Sequence, residues 1–332
     1  MLSRVAESLY WMARYLERAE DISRLLAVNF NALLDSQPGE SQQGWESIVR
    51  LSSDEELFAE VHGEVNTRSV IQFIFWEPLN PNSVAACIAN ARENARSVRE
   101  QISSEMWETI NRLYFSTRNI ESVDILDNPT DFLQLVRDRA QAFQGITSAT
   151  MTHGEPYQFI QLGLHLERAD KTARILDSKY HYLNRYSGGL AETSLQLIAL
   201  LRSCGAFEPY RRVLAGQLTV ESVVEYLLLN REFPRAVLFC LNLCQRRLDI
   251  IGEDPSLPVK SDSPRRALGR LAADLEYLNI DDVLGDQMNP FLNRFLAQLN
   301  SLGGDIARTY FNTSIILPEE RPRQQQQQQQ QE

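Results

Sequence analysis

Arg14-Tyr15-Leu16-Glu17-Arg18-Ala19-Glu20-Asp21-Ile22-Ser23-Arg24-Leu25-Leu26 returns as Leu164-His165-Leu166-Glu167-Arg168-Ala169-Asp170-Lys171-Thr172-Ala173-Arg174-Ile175-Leu176, at an offset of 150 residues. A second pair of blocks follows in the same order: Ser69-Val70-Ile71-Gln72-Phe73-Ile74-Phe75 and Ser222-Val223-Val224-Glu225-Tyr226-Leu227-Leu228, offset by 153. That match runs on through Pro81/Pro234, Val84/Val237 and Cys87/Cys240. Two matched blocks in one order, at nearly one offset, are the mark of an internal repeat. The chain reads as a duplicated multi-helix unit packed as one bundle-like, all-α protein. The first helical repeat is placed at 1–125, a connecting helix at 126–154, the second repeat at 155–255 and closing helices at 256–317. The two units are expected to pack with pseudo-two-fold symmetry.

The helical reading rests on apolar residues spaced three and four apart, with few alternating β-branched runs. Helices are predicted over 3–35, 44–60, 67–76, 82–104, 106–118, 129–150, 156–186, 190–204, 207–215, 219–230, 235–251, 262–277 and 289–314. Gln37-Pro38-Gly39, Trp76 to Pro81, Asp127-Asn128-Pro129, Gly188-Gly189 and Asp254 to Pro264 punctuate them. Asn80 or Asn82, Asn128 and Thr219 are the expected caps. Residues 318–332, with eight glutamines before Glu332, carry too little apolar surface to fold and are expected to be disordered.

A chain of 332 residues can bury a substantial core, and 43% hydrophobic with 23% charged residues is ordinary globular composition. The net charge of −11 argues against a general nucleic-acid or anionic-membrane binder. The most apolar stretch, Val223 to Leu243, is interrupted by Glu225, Arg231, Glu232 and Arg235, so no membrane span is expected. The first residues read at once as an amphipathic helix without an apolar leader core, which makes the cytoplasm the default location. Cys87, Cys204, Cys240 and Cys244 read as small buried hydrophobes, because no further soft ligands accompany them. No phosphate loop, nucleophile elbow or zinc-protease signature is present.

On the motif helices, advancing about 100° per residue gathers Met12, Tyr15, Ala19, Ile22, Leu26, Phe30 and Leu33 on an apolar face. Tyr10, Arg14, Glu17, Glu20, Asp21 and Arg24 lie opposite, and Glu167, Asp170 and Arg174 repeat that row. A solvated face laced with i,i+4 ion pairs contributes only about 0.2–0.5 kcal/mol per pair. Such a face tolerates substitution, yet the Glu-Arg pair, the following acid and the later arginine recur in otherwise diverged copies. Ile160 and Leu164 also flank the second row, so that row is expected to be covered. A covered charged row must be paired or must serve a ligand. Glu17 and Glu167 are the acid/base candidates. Arg14, Arg18, Glu20, Arg24, Arg92, Arg96, Arg168, Asp170, Arg174, Arg202 and Arg211 are the ligand-binding candidates. Such a cluster suits a peptide or small anionic ligand carrying carboxylate or phosphate together with amine groups.

These residues resemble the alpha-E family, a bacterial all-helical group named for a Glu-Arg motif. The resemblance is carried by Tyr15 to Glu20 and Leu164 to Asp170, and by Ala91-Arg92-Glu93-Asn94-Ala95-Arg96 and Glu105-Met106-Trp107-Glu108. Leu200-Leu201-Arg202-Ser203-Cys204 and Phe233-Pro234-Arg235-Ala236-Val237 complete it, and it extends from Met1 to about Tyr310. Ala236 departs from the family pattern, where serine is common. The resemblance implies partnership with circularly permuted ATP-grasp-type ligases and transglutaminase-like proteins, in peptide or amide-bond synthesis or modification.

Three functions compete. The first is a non-catalytic helical partner or substrate-binding component, and the second is an enzyme of amide chemistry using Glu17 and Glu167. The third is an all-α hydrolase holding Mg²⁺ on Glu17-x-x-Glu20 and Glu167-x-x-Asp170; the first two need no cofactor. A di-iron bundle would need Glu-x-x-His pairs, which His62, His153, His165 and His181 do not supply. His165 is expected to be a hydrogen-bonded core histidine.

Overall fold

Asn66 and Thr219 start corresponding helices in the same way. The Asn66 side chain accepts from the Ser69 amide at 3.0 Å while the Ser69 hydroxyl accepts from the Asn66 amide at 3.0 Å. Thr219 and Ser222 repeat this reciprocal box at 3.1 and 3.2 Å. Near Pro81 the cap is Ser83, whose hydroxyl accepts from the Ala86 amide, whereas Asn80 braces the preceding turn by donating to Phe73 O at 3.0 Å. Ala236 holds the position that corresponds to Ser83, and there the helix begins without a side-chain cap.

The computed structural model describes residues 1–34, 38–51, 55–118, 129–185, 190–214, 216, 218–252 and 264–311. The predicted breaks at Asn128, Gly188-Gly189 and most of Asp254 to Pro264, and the Gln-rich tail, lie outside the described residues. Among those residues are 14 α-helices and no strand. Helix α1 (Ser3–Leu34) is followed by α2 (Pro38–Leu51), α3 (Glu55–Val61), α4 (Thr67–Phe75), α5 (Val84–Ser97), α6 (Ser104–Arg118) and α7 (Pro129–Thr150). Helix α8 (Glu155–Arg185) is followed by α9 (Leu190–Ser203), α10 (Phe207–Val213), α11 (Val220–Leu229), α12 (Val237–Ile251), α13 (Pro264–Glu276) and α14 (Met288–Ile306). The helix predicted at 44–60 is thus divided between α2 and α3. The helix predicted at 82–104 ends at Ser97. Val98 leaves helical geometry, its amide turning back to Ala95 O, and α6 folds onto α5.

Two rings of helices share one order of packing. In the first, α1 packs on α5 and α7, and α6 closes the ring between them. In the second, α8 packs on α12 and α14, and α13 closes the ring. The helices that directly follow α1 and α8, α2 and α9, each touch both motif helices.

The rings join along α1 and α8, which run parallel and in register. Arg14 and Arg18 reach Glu167, Arg168 reaches Glu17, and Lys179 donates to Asn29 at 2.8 Å, all at separations of 149 to 153 residues. Both helices are therefore central and covered nearly all round. Glu17 and Glu20, placed by periodicity opposite the core, are as buried as Met12 and Ala19, whereas Tyr15 and Ile22 keep partial exposure. The four cysteines are buried and free. Among the described residues no helix is long and apolar enough to cross a membrane.

Gly163 sets how close α1 and α8 come. A Cβ there would lie 3.2 Å from the Tyr10 carbonyl carbon and 3.3 Å from its Cα, against backbone that cannot swing aside. Replacing a helical glycine by alanine normally gains about 1 kcal/mol, whereas overpacking costs about 1–3 kcal/mol. Gly163→Ala is expected to lower the thermal midpoint. Gly145→Ala, with the same propensity gain and nothing within 4 Å of its new Cβ, is expected to raise it. Equal shifts in a thermal melt would show that Gly163 does not set the helix separation.

Candidate functional site

The Glu-Arg dipeptides of α1 and α8 exchange partners. Arg168 Nε donates to Glu17 Oε1 at 2.7 Å, and Arg18 Nε donates to Glu167 Oε1 at 2.6 Å. Arg14 Nε adds a bond to Glu167 Oε2 at 2.7 Å, and its Nη1 donates to the Tyr10 hydroxyl at 3.1 Å. Both glutamates are at most 1% exposed.

Further groups close the network. Gln144 on α7 donates to Glu17 Oε2 at 2.7 Å and accepts from Arg168 Nη2 at 2.8 Å. Gln141, one turn earlier, donates to Glu20 at 3.1 Å. Arg235 spans three carboxylates, lying 2.9 Å from Glu17 and 2.8 Å from Glu20, and pairing with Asp21. Its backbone is held by Thr172, whose hydroxyl donates to Arg235 O at 2.9 Å, and by Asn230, which caps the turn through the Glu232 and Phe233 amides. Asn82, which corresponds to Arg235 at the 153-residue offset, accepts from Arg18 Nη1 at 2.6 Å. Arg24 pairs with Glu20 and Asp21, and Gly205, with φ +63°, lets the α9–α10 turn pass close over its guanidinium.

The i,i+4 pairs expected from the sequence are present inside the protein: Arg24–Glu20, and Arg174 Nε–Asp170 Oδ2 at 2.9 Å. Lys171 sits 3.4 Å from Asp170 and 3.7 Å from Glu167. The groups in these ion pairs are five carboxylates (Glu17, Glu20, Asp21, Glu167, Asp170) and seven cations (Arg14, Arg18, Arg24, Arg168, Lys171, Arg174, Arg235), a positive excess of two.

Burial opposes ionisation of Glu167, but Arg18, Arg14 and Lys171 overcome it and hold the carboxyl well below the usual range. Burial likewise works against Glu17, which Arg168 and Arg235 hold down, and against Asp170, held down by Lys171 and Arg174. Asp21 goes the other way: burial dominates over Arg235, and its carboxyl is pushed up to about 7. Asp21 Oδ1 takes the arginines, and Oδ2 is buried without a hydrogen-bond partner. His165 is a core residue, its Nδ1 2.7 Å from Gln161 O, and burial followed by Arg168 lowers it to about 4.

Of the sequence candidates, Arg14, Glu17, Arg18, Glu20, Arg24, Glu167, Arg168, Asp170 and Arg174 come together. Arg92 and Arg96 pair elsewhere. Arg92 donates to Asn111 and packs over Tyr114, and Arg96 pairs with Glu93 at the surface. Arg202 and Arg211 both lie over the Phe207 ring. Arg235, Asn82, Lys171, Gln141 and Gln144 were not among the candidates. The recurrence of Pro81 and Pro234 directly before Asn82 and Arg235 is the signal that marks the first two.

Glu17, Glu20 and Asp21 bring carboxylate oxygens within 4.8 Å of one another, a grouping that could suggest a metal. Arginines already hold Glu17, Glu20 and one oxygen of Asp21, so the set does not fit Mg²⁺, which seeks uncompensated hard oxygen ligands. Beside the network, Asp21, Asn82, Lys171 and Arg174 line a small cleft together with aliphatic side chains.

The chain belongs to the Alpha-E family, described as a predicted alpha-helical domain with a conserved ER motif, whose model matches residues 1–311. Uncharacterized proteins of Mycobacterium bovis and Mycobacterium tuberculosis are 24% identical over 352 residues, covering 95% of this chain. The chain spans 37% of the length of those relatives. No solved structure matches it.

Breaking one side of a buried pair leaves a stranded charge, at a cost of about 3–5 kcal/mol. Glu167→Gln is expected to destabilise the protein by that order in urea unfolding. A double-mutant cycle with Arg18→Gln should show coupling of at least about 1 kcal/mol; additive losses would refute direct pairing. The acid response follows from the same groups. Glu17, Glu167 and Asp170 are lowered in the folded state, so their stabilisation is present above their ordinary values of 4.5, 4.5 and 3.8 and is lost as pH falls below them. Asp21 is raised, so its contribution is present below 3.8 and is lost as pH rises through about 7. Urea unfolding across pH should therefore show a steep acid loss that Glu167→Gln makes shallower. An unchanged acid slope in the variant would count against the assignment.

Proposed function

We propose that this chain is a cytoplasmic helical component that binds a partner or substrate in an ATP-grasp-associated system for peptide or amide-bond synthesis or modification. The observation that carries the reading is the saturation of Glu17 and Glu167. A general acid or base must reach a substrate proton and titrate near the working pH. These carboxyls are buried, hydrogen-bonded on both oxygens and held in the ionised range. They are suited to fixing two helices together and poorly suited to moving protons.

The lengths of the relatives support a component role. In the mycobacterial proteins the matched region occupies 37% of the polypeptide, so there the Alpha-E unit shares its chain with other sequence. A unit whose motif charges are spent on its own architecture contributes through its surface and its cleft. The enzyme reading would fall to Asp21, the carboxyl near neutrality, in place of the motif glutamates. The Mg²⁺-hydrolase reading has no support in the arginine-filled carboxylate set.

Co-expression with the ATP-grasp-type ligase and the transglutaminase-like protein of the same organism tests the proposal. A complex that survives gel filtration at about 10 µM, corresponding to at least micromolar affinity, is the expected result. Clean separation of this chain from both proteins overturns it.

A further inference from the structure

Trp11 and Tyr15 stand half-buried on the outward side of α1, their ring centroids 5.5 Å apart. Positions 4, 8, 11 and 15 are spaced three and four apart and so share one face of the helix. The end of α5 flanks that face. Ser97 Oγ lies 3.0 Å from Ser8 Oγ, while Arg18 reaches Asn82 just before α5, so the two helices run antiparallel. Between them is a groove of about 580 Å³. Val5 and Val98 join the two rings as its apolar lining, and Ser8, Asn94 and Ser97 supply small polar groups. Arg4 and Glu7 give its rim one charge of each sign.

The ion-pair network next to this groove is layered by depth. The side chains of Glu17, Glu167 and Asp170 are 0 to 6% exposed, whereas Arg14, Arg18, Lys171 and Arg174 keep 13 to 21%. The cations also outnumber the carboxylates by two. What the network presents outward is therefore a row of positive charge, on a chain whose net charge is −11.

That row begins at the groove. Arg14 lies over the Trp11 ring at 4.9 Å and Arg18 over the Tyr15 ring at 5.6 Å. Arg18 Nη1 donates to Asn82 at 2.6 Å, and Asn82 lines the small cleft that Lys171 and Arg174 also line. The Lys171 ammonium sits 3.4 and 3.7 Å from acids that take shorter bonds from Arg174, Arg14 and Arg18, so it is loosely committed. From Trp11 to the level of Asp21 the helix advances about 15 Å, the reach of four or five extended residues.

An apolar groove and a cation row set end to end suit a chain-like ligand. Aromatic grooves accept apolar side chains of extended peptides, and cation clusters recognise acidic motifs. Single-stranded nucleic acid could stack on the same rings, but it carries a phosphate at every nucleotide. Phosphates over the groove would meet Glu7 with Arg4 as the one cation in the lining. A peptide can be neutral over the groove and anionic over the row.

The geometry points to a binding site for an extended acidic peptide, an apolar residue seated on Trp11 and Tyr15 and carboxylates a few residues on meeting Arg18 and Lys171. The inference rests on the binding role proposed above and supplies the chemistry of the bound segment.

Fluorescence anisotropy of the full chain with a fluorescein-labelled peptide, Phe-Ser-Gly-Glu-Glu-Glu, tests it. Saturable binding with Kd between about 1 and 100 µM is expected at about 50 mM salt, weakening at least about threefold at about 300 mM. Replacing the peptide's phenylalanine by alanine, or its glutamates by lysines, should weaken binding at least about fivefold. Trp11→Ala and Lys171→Gln should do the same from the protein's side. No binding up to about 1 mM overturns the inference, as does equal affinity for the lysine peptide or unchanged affinity in a folded Trp11→Ala protein. A ten-nucleotide oligothymidylate that binds more tightly than the peptide gives the face to nucleic acid and also overturns it. Should Lys171→Gln fail to fold, the lysine peptide and the salt dependence still decide. The titration uses this chain alone, so absent peptide binding beside an intact ligase complex rejects only this inference. Peptide binding without a ligase complex rejects only the partnership.

Discussion

The exchange Glu17–Arg168 and Arg18–Glu167 is the constraint on which the molecule turns. Two helices packed in parallel at a constant offset bring each residue near its own counterpart. A lone acid repeated at such a position would face an acid, and a lone arginine an arginine, each a costly encounter in a low dielectric. An acid followed directly by an arginine removes the conflict, because each helix offers its arginine to the other's acid. The dipeptide is thus the shortest charged unit that can be repeated and still be neutralised across a parallel pair. Removing two charges from water is expensive, and apolar residues could hold the helices as firmly. What the pairing adds is register. A slip of one residue would draw one of the two Glu–Arg contacts apart, so the charged row fixes how the two rings align.

Departures from the repeat are where the two halves acquire different roles. Gly163 stands where the first copy has Ala13, and without a side chain the helices can approach over Tyr10. Arg235 stands where the first copy has Asn82, so one turn brings a cation to three acids while the other brings an acceptor to Arg18. Lys179 stands opposite its counterpart Asn29 and donates to it at 2.8 Å, a buried ammonium that burial pushes down to about 8. Ser83 caps a helix that Ala236 leaves uncapped. Asp21 and Lys171 invert charge at one level, and both line the same cleft.

The all-helical class, the order of the helices and the importance of the Glu-Arg row were legible in the spacing of apolar residues and in the recurrence of the motif. The direction the row faces was not. A helical wheel assumes one face toward a core and one toward water. Helices α1 and α8 have other helices on every side, so their charged rows are as deeply buried as their apolar ones. The only hint in the sequence was the pair of apolar residues flanking the second row. Partners from distant turns were hidden for another reason: Gln141, Gln144 and Arg235 reach the motif through tertiary packing that no local pattern encodes. Arg92, Arg96, Arg202 and Arg211 show the converse, since clustering in sequence placed them near aromatic rings or surface acids and not at the motif.

The motif glutamates are paired on both oxygens, an arrangement that suits them to holding helices together. Each motif carboxylate already accepts from two or three donors, and protonating one would strand the arginines around it. Its value to a neighbouring site is electrostatic and geometric. It holds Asp21 and Lys171 at one level of two long helices, beside the cleft that both line. The motif that names the family is then the frame that fixes the two long helices against each other.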